Sequence, residues 1–386
     1  MAAIIGWAHT KFGKLDAETL ESLITRAARE AIENAGIRPK EIDAIYVGNF
    51  GGFEKQSFPA AFALNAHPDL RFRPATRVEN ACATGSAAVH AAVNTIGSHA
   101  ARFVLVVGAE KMTVAPPPDI GDILLNASYR EEEGDTPGGF AGIFGRIAEA
   151  YFQKYGDKSE ALAMIAAKNH ANGMANPFAH VRKELGVDFC NTVSDKNPLV
   201  AGPLRRTDCS PVSDGAAALV LSDTETAIRF PKAIHIRAAA HVQDFMPMSR
   251  RDVLAFEGCE VAWRKAHAMA GTELSDISFV ETHDCFTIAE LIEYEAMGLT
   301  PRGDGARAIV EGWTTKDGRL PVNPSGGLKS KGHPIGATGV SMHVMAALQL
   351  EGQAGEMQIK NADLAGIYNM GGTAVANYVS ILERLR

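Results

Sequence analysis

The chain has 386 residues, 46% of them hydrophobic and 22% charged, with a formal net charge of -7. That composition suits a soluble globular protein with a large buried core, and a mildly acidic whole speaks against a nucleic-acid binder. No apolar run is long enough to cross a bilayer, and the opening Met1-Ala2-Ala3-Ile4-Ile5-Gly6 reads as a strand and not as a signal peptide. The closing Leu382-Glu383-Arg384-Leu385-Arg386 is not a peroxisomal address. Five cysteines without C-x-x-C spacing, and no H-E-x-x-H, predict reduced thiols, a cytoplasmic setting and no metal.

Residues 17–36 place Leu20, Leu23, Ile24, Ala27, Ala31, Ile32 and Ala35 on one face of a helix that Gly36 ends. Ile42 to Val47 follows as a strand. The second half repeats this with a helix near 251–270 ended by Gly271, then a strand from Ile277 to Thr282. The two copies stand 235 positions apart at both landmarks (270 − 35 and 277 − 42). A second correspondence links Cys82-Ala83-Thr84-Gly85-Ser86, a small-residue helix and the strand from Phe103 to Val107 with His333-Pro334-Ile335-Gly336-Ala337, another such helix and the strand from Ala365 to Tyr368. The order predicts two related α/β halves, 1–230 and 231–386. The stretch 112–200, with Pro116-Pro117-Pro118, Glu131-Glu132-Glu133 and helices near 146–155 and 159–172, reads as a loop domain inserted in the first half. Met174 and Phe178 from that insert are expected to shape the substrate pocket.

Four stretches can do chemistry. Cys82 begins a helix, where unpaired N–H groups and the helix dipole favour a thiolate, and its small neighbours let a bulky group approach. His333 follows a glycine-rich turn at the equivalent place in the other half, so pseudo-twofold packing would bring nucleophile and base together. Glu281-Thr282-His283-Asp284-Cys285-Phe286 follows a strand, with His283 and Cys285 two residues apart. Tyr368-Asn369-Met370-Gly371-Gly372-Thr373 ends another strand, where glycines free N–H groups for an oxyanion.

Together these stretches resemble the four active-site loops of thiolases, and His283-Asp284-Cys285-Phe286 resembles the sterol-carrier-protein type. The resemblance runs over nearly the whole chain and includes Val106-Val107-Gly108-Ala109-Glu110 and the stretch from Asp208 to Ala217. It implies a five-layer αβαβα fold of two duplicated halves, acyl-coenzyme A substrates, no permanently bound cofactor, and a homodimer or homotetramer. It implies that Cys82 carries the acyl group and that His333 activates it and donates to the thioester oxygen. By the same resemblance His283 binds that oxygen, and the N–H groups of Cys82 and Gly371 form a second oxyanion hole. Asn369 departs from ordinary thiolases, which have a second cysteine there, so Cys285 is expected to take over as acid/base. The implied reaction is thiolytic cleavage of a 3-ketoacyl-CoA or the reverse Claisen condensation. The alternatives are a subunit active only with a small partner bearing an OB fold and a zinc ribbon, or a non-catalytic acyl-CoA-binding protein on the same fold. Lys329, Lys331, Arg205 and Arg206 are candidates for coenzyme A phosphates, with solvated surface charge as the plainer reading.

Overall fold

A computed structural model describes residues 1–385. The first half runs β1 (Ala2–His9), α1 (Leu20–Ala35), β2 (Ala44–Gly48), β3 (Ala75–Val78), α2 (Thr84–Gly97) and β4 (Phe103–Lys111). Five helices follow: α3 (Pro117–Leu124), α4 (Arg130–Glu133), α5 (Gly139–Tyr155), α6 (Ser159–Met174) and α7 (Val187–Asn191). A small antiparallel ribbon of β5 (Leu199–Ala201) and β6 (Leu204–Arg205) leads into β7 (Asp214–Asp223) and the short α8 (Thr224–Ala227). The second half runs β8 (Ile234–Gln243), α9 (Glu257–Ala270), β9 (Phe279–Glu281), α10 (Thr287–Ala296), α11 (Gly305–Val310) and α12 (Gly327–Lys331). It closes with α13 (Ile335–Leu350), β10 (Leu364–Gly371) and β11 (Ala376–Arg384).

The strands hydrogen-bond in the order β3-β2-β4-β7-β1-β8-β11-β10-β9. Outward from the middle, β1-β7-β4-β2 on one side matches β8-β11-β10-β9 on the other, and the two halves meet where Ala2, Ala3 and Ile4 pair with Ile236, His235 and Ile234. The parallel pair β2–β4 has its counterpart in the parallel pair β9–β10. A single parallel bridge, Val280 to Val322, stands beside β9 where β3 stands beside β2.

Alternation along the strands builds the layers. In β4, Phe103, Leu105 and Val107 join the core under α1 with Leu23, Ile24 and Ala27, while Val104 and Val106 face the opposite way. There they meet Ala88 and Val89 of α2 and Val340 and Val344 of α13, a central helix layer that also packs on Ile367 and Leu382 of the second half. On the far side, Trp263 and Ala266 of α9 cover Val379 and Ile381, and α10 extends the same core. Helix, sheet, helix pair, sheet, helix is the expected five-layer arrangement.

Local signals set the helix ends. Thr19 accepts from Ser22 N while Ser22 Oγ accepts from Thr19 N, and Gly36 closes α1 at φ 70. The helix expected from about 251 begins at Glu257, because Phe256 takes a left-handed φ of 45 and the preceding residues form turns.

The central helices cross almost in backbone contact. A Cβ on Gly85 would lie 2.7 Å from Gly339 N, and one on Gly339 would lie 2.1 Å from Ser86 N. Only glycine allows that approach. It sets the N-termini of α2 and α13, and with them Cys82 and His333, side by side.

Candidate active site

Cys82 sits on a tight connection between β3 and α2. Ala81 holds a left-handed φ of 49, a conformation costing about 1–3 kcal/mol for a non-glycine residue. The loop is held there by its own polar groups: Ala81 N donates to Glu79 Oε1 at 2.5 Å, Thr84 Oγ1 donates to Ala81 O at 2.6 Å, and Asn80 Nδ2 donates to Tyr378 OH at 2.8 Å. Cys82 itself is buried, and burial pushes its thiol up to about 12, against the pull of the Gly372 N–H. The thiolate expected from the helix start is therefore not the resting form: loss of water around the sulfur outweighs the helix end.

His333 lies between Gly332, at φ 111, and the start of α13. Its Nδ1 is 2.6 Å from Thr338 Oγ1, and its Nε2 is buried with no hydrogen-bond partner. Burial, and then the charge of Lys331, lower it to about 3, so it rests as a neutral imidazole.

The end of β9 supplies His283 and Cys285. His283 N and Thr282 Oγ1 both donate to Glu293 Oε2, fixing the backbone there. The His283 ring stands edge-on to that of His333, 5.1 Å between centroids. Sγ of Cys82 and one ring nitrogen from each of these histidines lie within 4.8 Å of one another. Asp284 turns the other way and accepts from Leu328 N at 2.6 Å and Lys329 N at 3.1 Å, tying this loop to the one carrying His333. Cys285 lines the same cavity as Cys82 and His333, and burial, then Cys82, hold its thiol well above the ordinary range.

From β10, Asn369 Nδ2 lies 3.1 Å from Cys82 O and 2.9 Å from His283 Nδ1. Gly371 lies against the Cys82 loop, where a Cβ would come 2.5 Å from Asn80 O. Cys82, His333, His283, Cys285, Asn369 and Gly371 thus converge from four separate loops.

The cavity over Cys82 measures about 140 Å³ and is mostly apolar, walled by Met112, Leu124, Phe140, Ala141, Val200, Val212 and Phe286. Stacking of Phe286 on Phe144, centroids 4.4 Å apart, fixes its back. Residues of the stretch 112–200 line the cavity, but not the ones expected. Met174 is exposed, and Phe178 packs on His9. From that stretch the walls come instead from Met112, Leu124 of α3, Phe140 and Ala141 of α5, and Val200 of β5.

Three of the four basic residues singled out are buried, against the solvated setting expected of them. Arg205 is buried with Asp208 at 2.9 Å, Lys329 donates to Cys209 O, and Lys331 is buried 4.0 Å from Glu281. Arg206 is exposed and, with Lys183, Lys196 and Lys329, lines a second cavity of about 330 Å³ that shares Cys209, Ser210 and Pro211 with the first.

Sequence reasoning overlooked three contributors. Cys209 is a third thiol in the wall. Thr338 holds His333. Buried Glu110 accepts from Phe50 N, Gly51 N and Gly336 N, clamping the start of α13, and burial raises it to about 7. Glu110 and Cys209 lie in stretches that the resemblance includes, and Thr338 stands one turn beyond His333 and Pro334, but none of the three had been given a role.

Residues 2–225 match the family described as "Thiolase, N-terminal domain", and residues 239–384 match "Thiolase C-terminal domain-like". The chain is 37% identical over 388 residues to an acetyl-CoA acetyltransferase of Methanothermobacter thermautotrophicus, covering 99% of each. It is 33% identical to sterol carrier protein 2 of Homo sapiens over 95% of this chain and 69% of that protein. Among solved structures, the Ltp2-ChsH2(DUF35) aldolase superposes with a TM-score of 0.85 at 22% identity, covering 100% of this chain and 98% of that one. Human mitochondrial 3-ketoacyl-CoA thiolase in complex with CoA superposes with a TM-score of 0.76 at 17% identity, covering 99% and 97%. These two share the fold.

Proposed function

Since the chain belongs to the thiolase family, we propose that it is an acyl-CoA C-acyltransferase that cleaves a 3-ketoacyl-CoA with coenzyme A, or runs the reverse condensation, through a Cys82 acyl-enzyme. The observation that carries this reading is the meeting of Cys82 Sγ with His283 and His333 inside 4.8 Å, in a cavity that also holds the Cys285 thiol. Kinship with acetyl-CoA acetyltransferases at 36–37% identity supports it.

In thiolysis, His333 Nε2 takes the Cys82 proton as sulfur attacks the 3-keto carbon. With the thiol near 12 and the imidazole near 3, that transfer proceeds only as the charge passes to the substrate. The N–H groups of Cys82 and Gly371 receive the oxyanion. Its collapse breaks the bond between C2 and C3, leaving the acyl group on Cys82 and an acetyl-CoA enolate. The enolate oxygen is held by His283 and by the newly protonated His333, and its carbon takes the Cys285 proton. Cys285 thiolate then deprotonates coenzyme A, whose sulfur attacks the acyl-enzyme and restores Cys82, which recovers its proton from His333. Burial keeps Cys285 a neutral thiol at the outset, the state that thiolysis requires first. Asn369 is an amide and carries no proton in this cycle.

The second cavity, with Lys183, Lys196 and Arg206 at its wall, fits the phosphate end of coenzyme A. Assembly into a homodimer or homotetramer in the cytoplasm belongs to the same reading.

The test is to mix the purified chain with 3-ketoacyl-CoA thioesters and free coenzyme A, and to follow thioester loss beside peptide mass analysis after acetyl-CoA treatment. Turnover with the acyl group on Cys82 is expected. Acylation of Cys285 with Cys82 unmodified would overturn the assignment. Acylation without turnover would favour a chain that needs a partner protein.

A further inference from the structure

Among the candidate site residues, Asn369 is the one for which the proposed cycle has no proton to move, and its amide is tied at one end only. Nδ2 faces the carbonyl oxygen of Cys82 at 3.1 Å and Nδ1 of His283 at 2.9 Å, while Oδ1 is buried without a partner. A carbonyl oxygen can only accept, so the amide end beside it is the NH2. That same NH2 faces Nδ1 of His283, so Nδ1 must accept, and the single proton of a neutral imidazole is left on Nε2. Nε2 of His283 is buried with no hydrogen-bond partner, and one ring nitrogen of His283 lies in the cluster with Cys82 and His333.

His333 is set the opposite way. Thr338 Oγ1 donates its one proton to Pro334 O at 3.0 Å and so accepts from His333 Nδ1–H at 2.6 Å. The Nε2 of His333, also buried and unpartnered, is then a bare lone pair.

We propose that Asn369 is a positioning residue that locks His283 as its Nε2–H tautomer, so that His283 can only donate to the substrate oxygen while His333 alone can accept the thiol proton. Burial, and then His333, hold His283 far below the ordinary histidine range, so both rings are neutral and the tautomer decides what each can do. Backbone placement supports the lock. Asn369 lies within β10, opposite Tyr378 of β11, and Gly339 leaves the space for Oδ1: a Cβ there would lie 2.4 Å away. An aspartate would accept from His283 and reverse the tautomer, and an alanine would leave it unset.

The role of the tautomer rests on the acyl-transfer reading above, but the tautomer itself can be observed without turnover. In 15N NMR of the histidine-labelled protein, with His283 assigned by comparison with His283→Gln, the wild type is expected to show Nδ1 unprotonated and Nε2 protonated, and Asn369→Asp the reverse. A protonated Nδ1 in the wild type overturns the proposal. For activity, Asn369→Ala is expected to lower thiolysis by roughly 10²-fold, the scale of losing one oxyanion donor, with acylation of Cys82 by acetyl-CoA much less affected. Because Asn369 acts through His283, Asn369→Ala should cost nothing further in a His283→Ala background. An equal loss in both backgrounds, or no loss in either, overturns it as well. A wild type that neither acylates nor turns over would sink the acyl-transfer reading while leaving the NMR result to decide the tautomer.

Discussion

Nδ1 of His333 stands 2.6 Å from the Thr338 hydroxyl, and that hydroxyl stands 3.0 Å from the carbonyl oxygen of Pro334. The hydrogen-bond chain orients the His333 ring from the helix that follows it. Thr338→Val keeps the shape but leaves a buried N–H without a partner, a cost of about 1–3 kcal/mol that favours turning the ring or moving its proton. Acylation of Cys82 by acetyl-CoA should slow about 10-fold or more, and Thr338→Ser should restore most of it. Wild-type acylation by Thr338→Val, read by mass spectrometry, would show that the hydroxyl does not set the ring.

Cys285 has a separable role. Its thiol lines the cavity, and in the proposed cycle Cys82, not Cys285, carries the acyl group. Cys285→Ala should form the Cys82 acyl-enzyme in a single turnover yet lose at least about 10²-fold in steady-state thiolysis, the lower end of what positioned acid–base groups contribute. Unimpaired thiolysis would remove Cys285 from the mechanism, whereas loss of both steps would indicate a collapsed site.

Ala141 is expected to limit the size of the acyl group that the cavity admits. It lies on α5 in the wall of the 140 Å³ cavity, beside Phe140. Ala141→Leu fills part of that space, and each methylene gained or lost in such a pocket changes kcat/KM by about 10-fold or more. The ratio of longer to shorter 3-ketoacyl-CoA substrates should fall by that order, while Met174→Leu, on an exposed side chain, should leave it unchanged. A uniform loss across chain lengths would mean that the wall does not select.

A pH-dependent stability difference follows from His343, which lies in α13 between Gly339 O at 2.7 Å and Ser380 Oγ at 3.0 Å. Burial lowers it from 6.5 to about 4, so between those values the unfolded chain binds a proton that the folded one does not. Its contribution is whole above pH 6.5 and is lost as pH falls towards 4, on the order of 3 kcal/mol in all. Urea unfolding should therefore show wild type losing stability relative to His343→Gln over that interval. Parallel pH profiles for the two proteins would contradict the assignment.

Much of the chain was legible from residue order alone. Periodic apolar residues and a terminal Gly36 fixed α1, and the echo of that pattern 235 positions later disclosed the second half (270 − 35). Small-residue helices after Cys82 and His333 marked the central pair, because only small side chains suit helices that must cross so closely. These features depend on local spacing, which a sequence records directly. The electrostatic state of the site was decided elsewhere. Cys82 stays a thiol because burial, a property of the whole packed molecule, outweighs the local pull of a helix end. Lys329, Lys331 and Arg205 look like surface cations in sequence and are buried in the structure, through contacts with residues that no local pattern joins to a ligand site. The pocket walls moved from Met174 and Phe178 to Leu124, Phe140 and Ala141, because an insert without a repeat to align it can lay any of its faces on the site. The pairing of Asn369 with His283 joins positions 86 residues apart at one hydrogen-bond length, and only the folded sheet sets that distance.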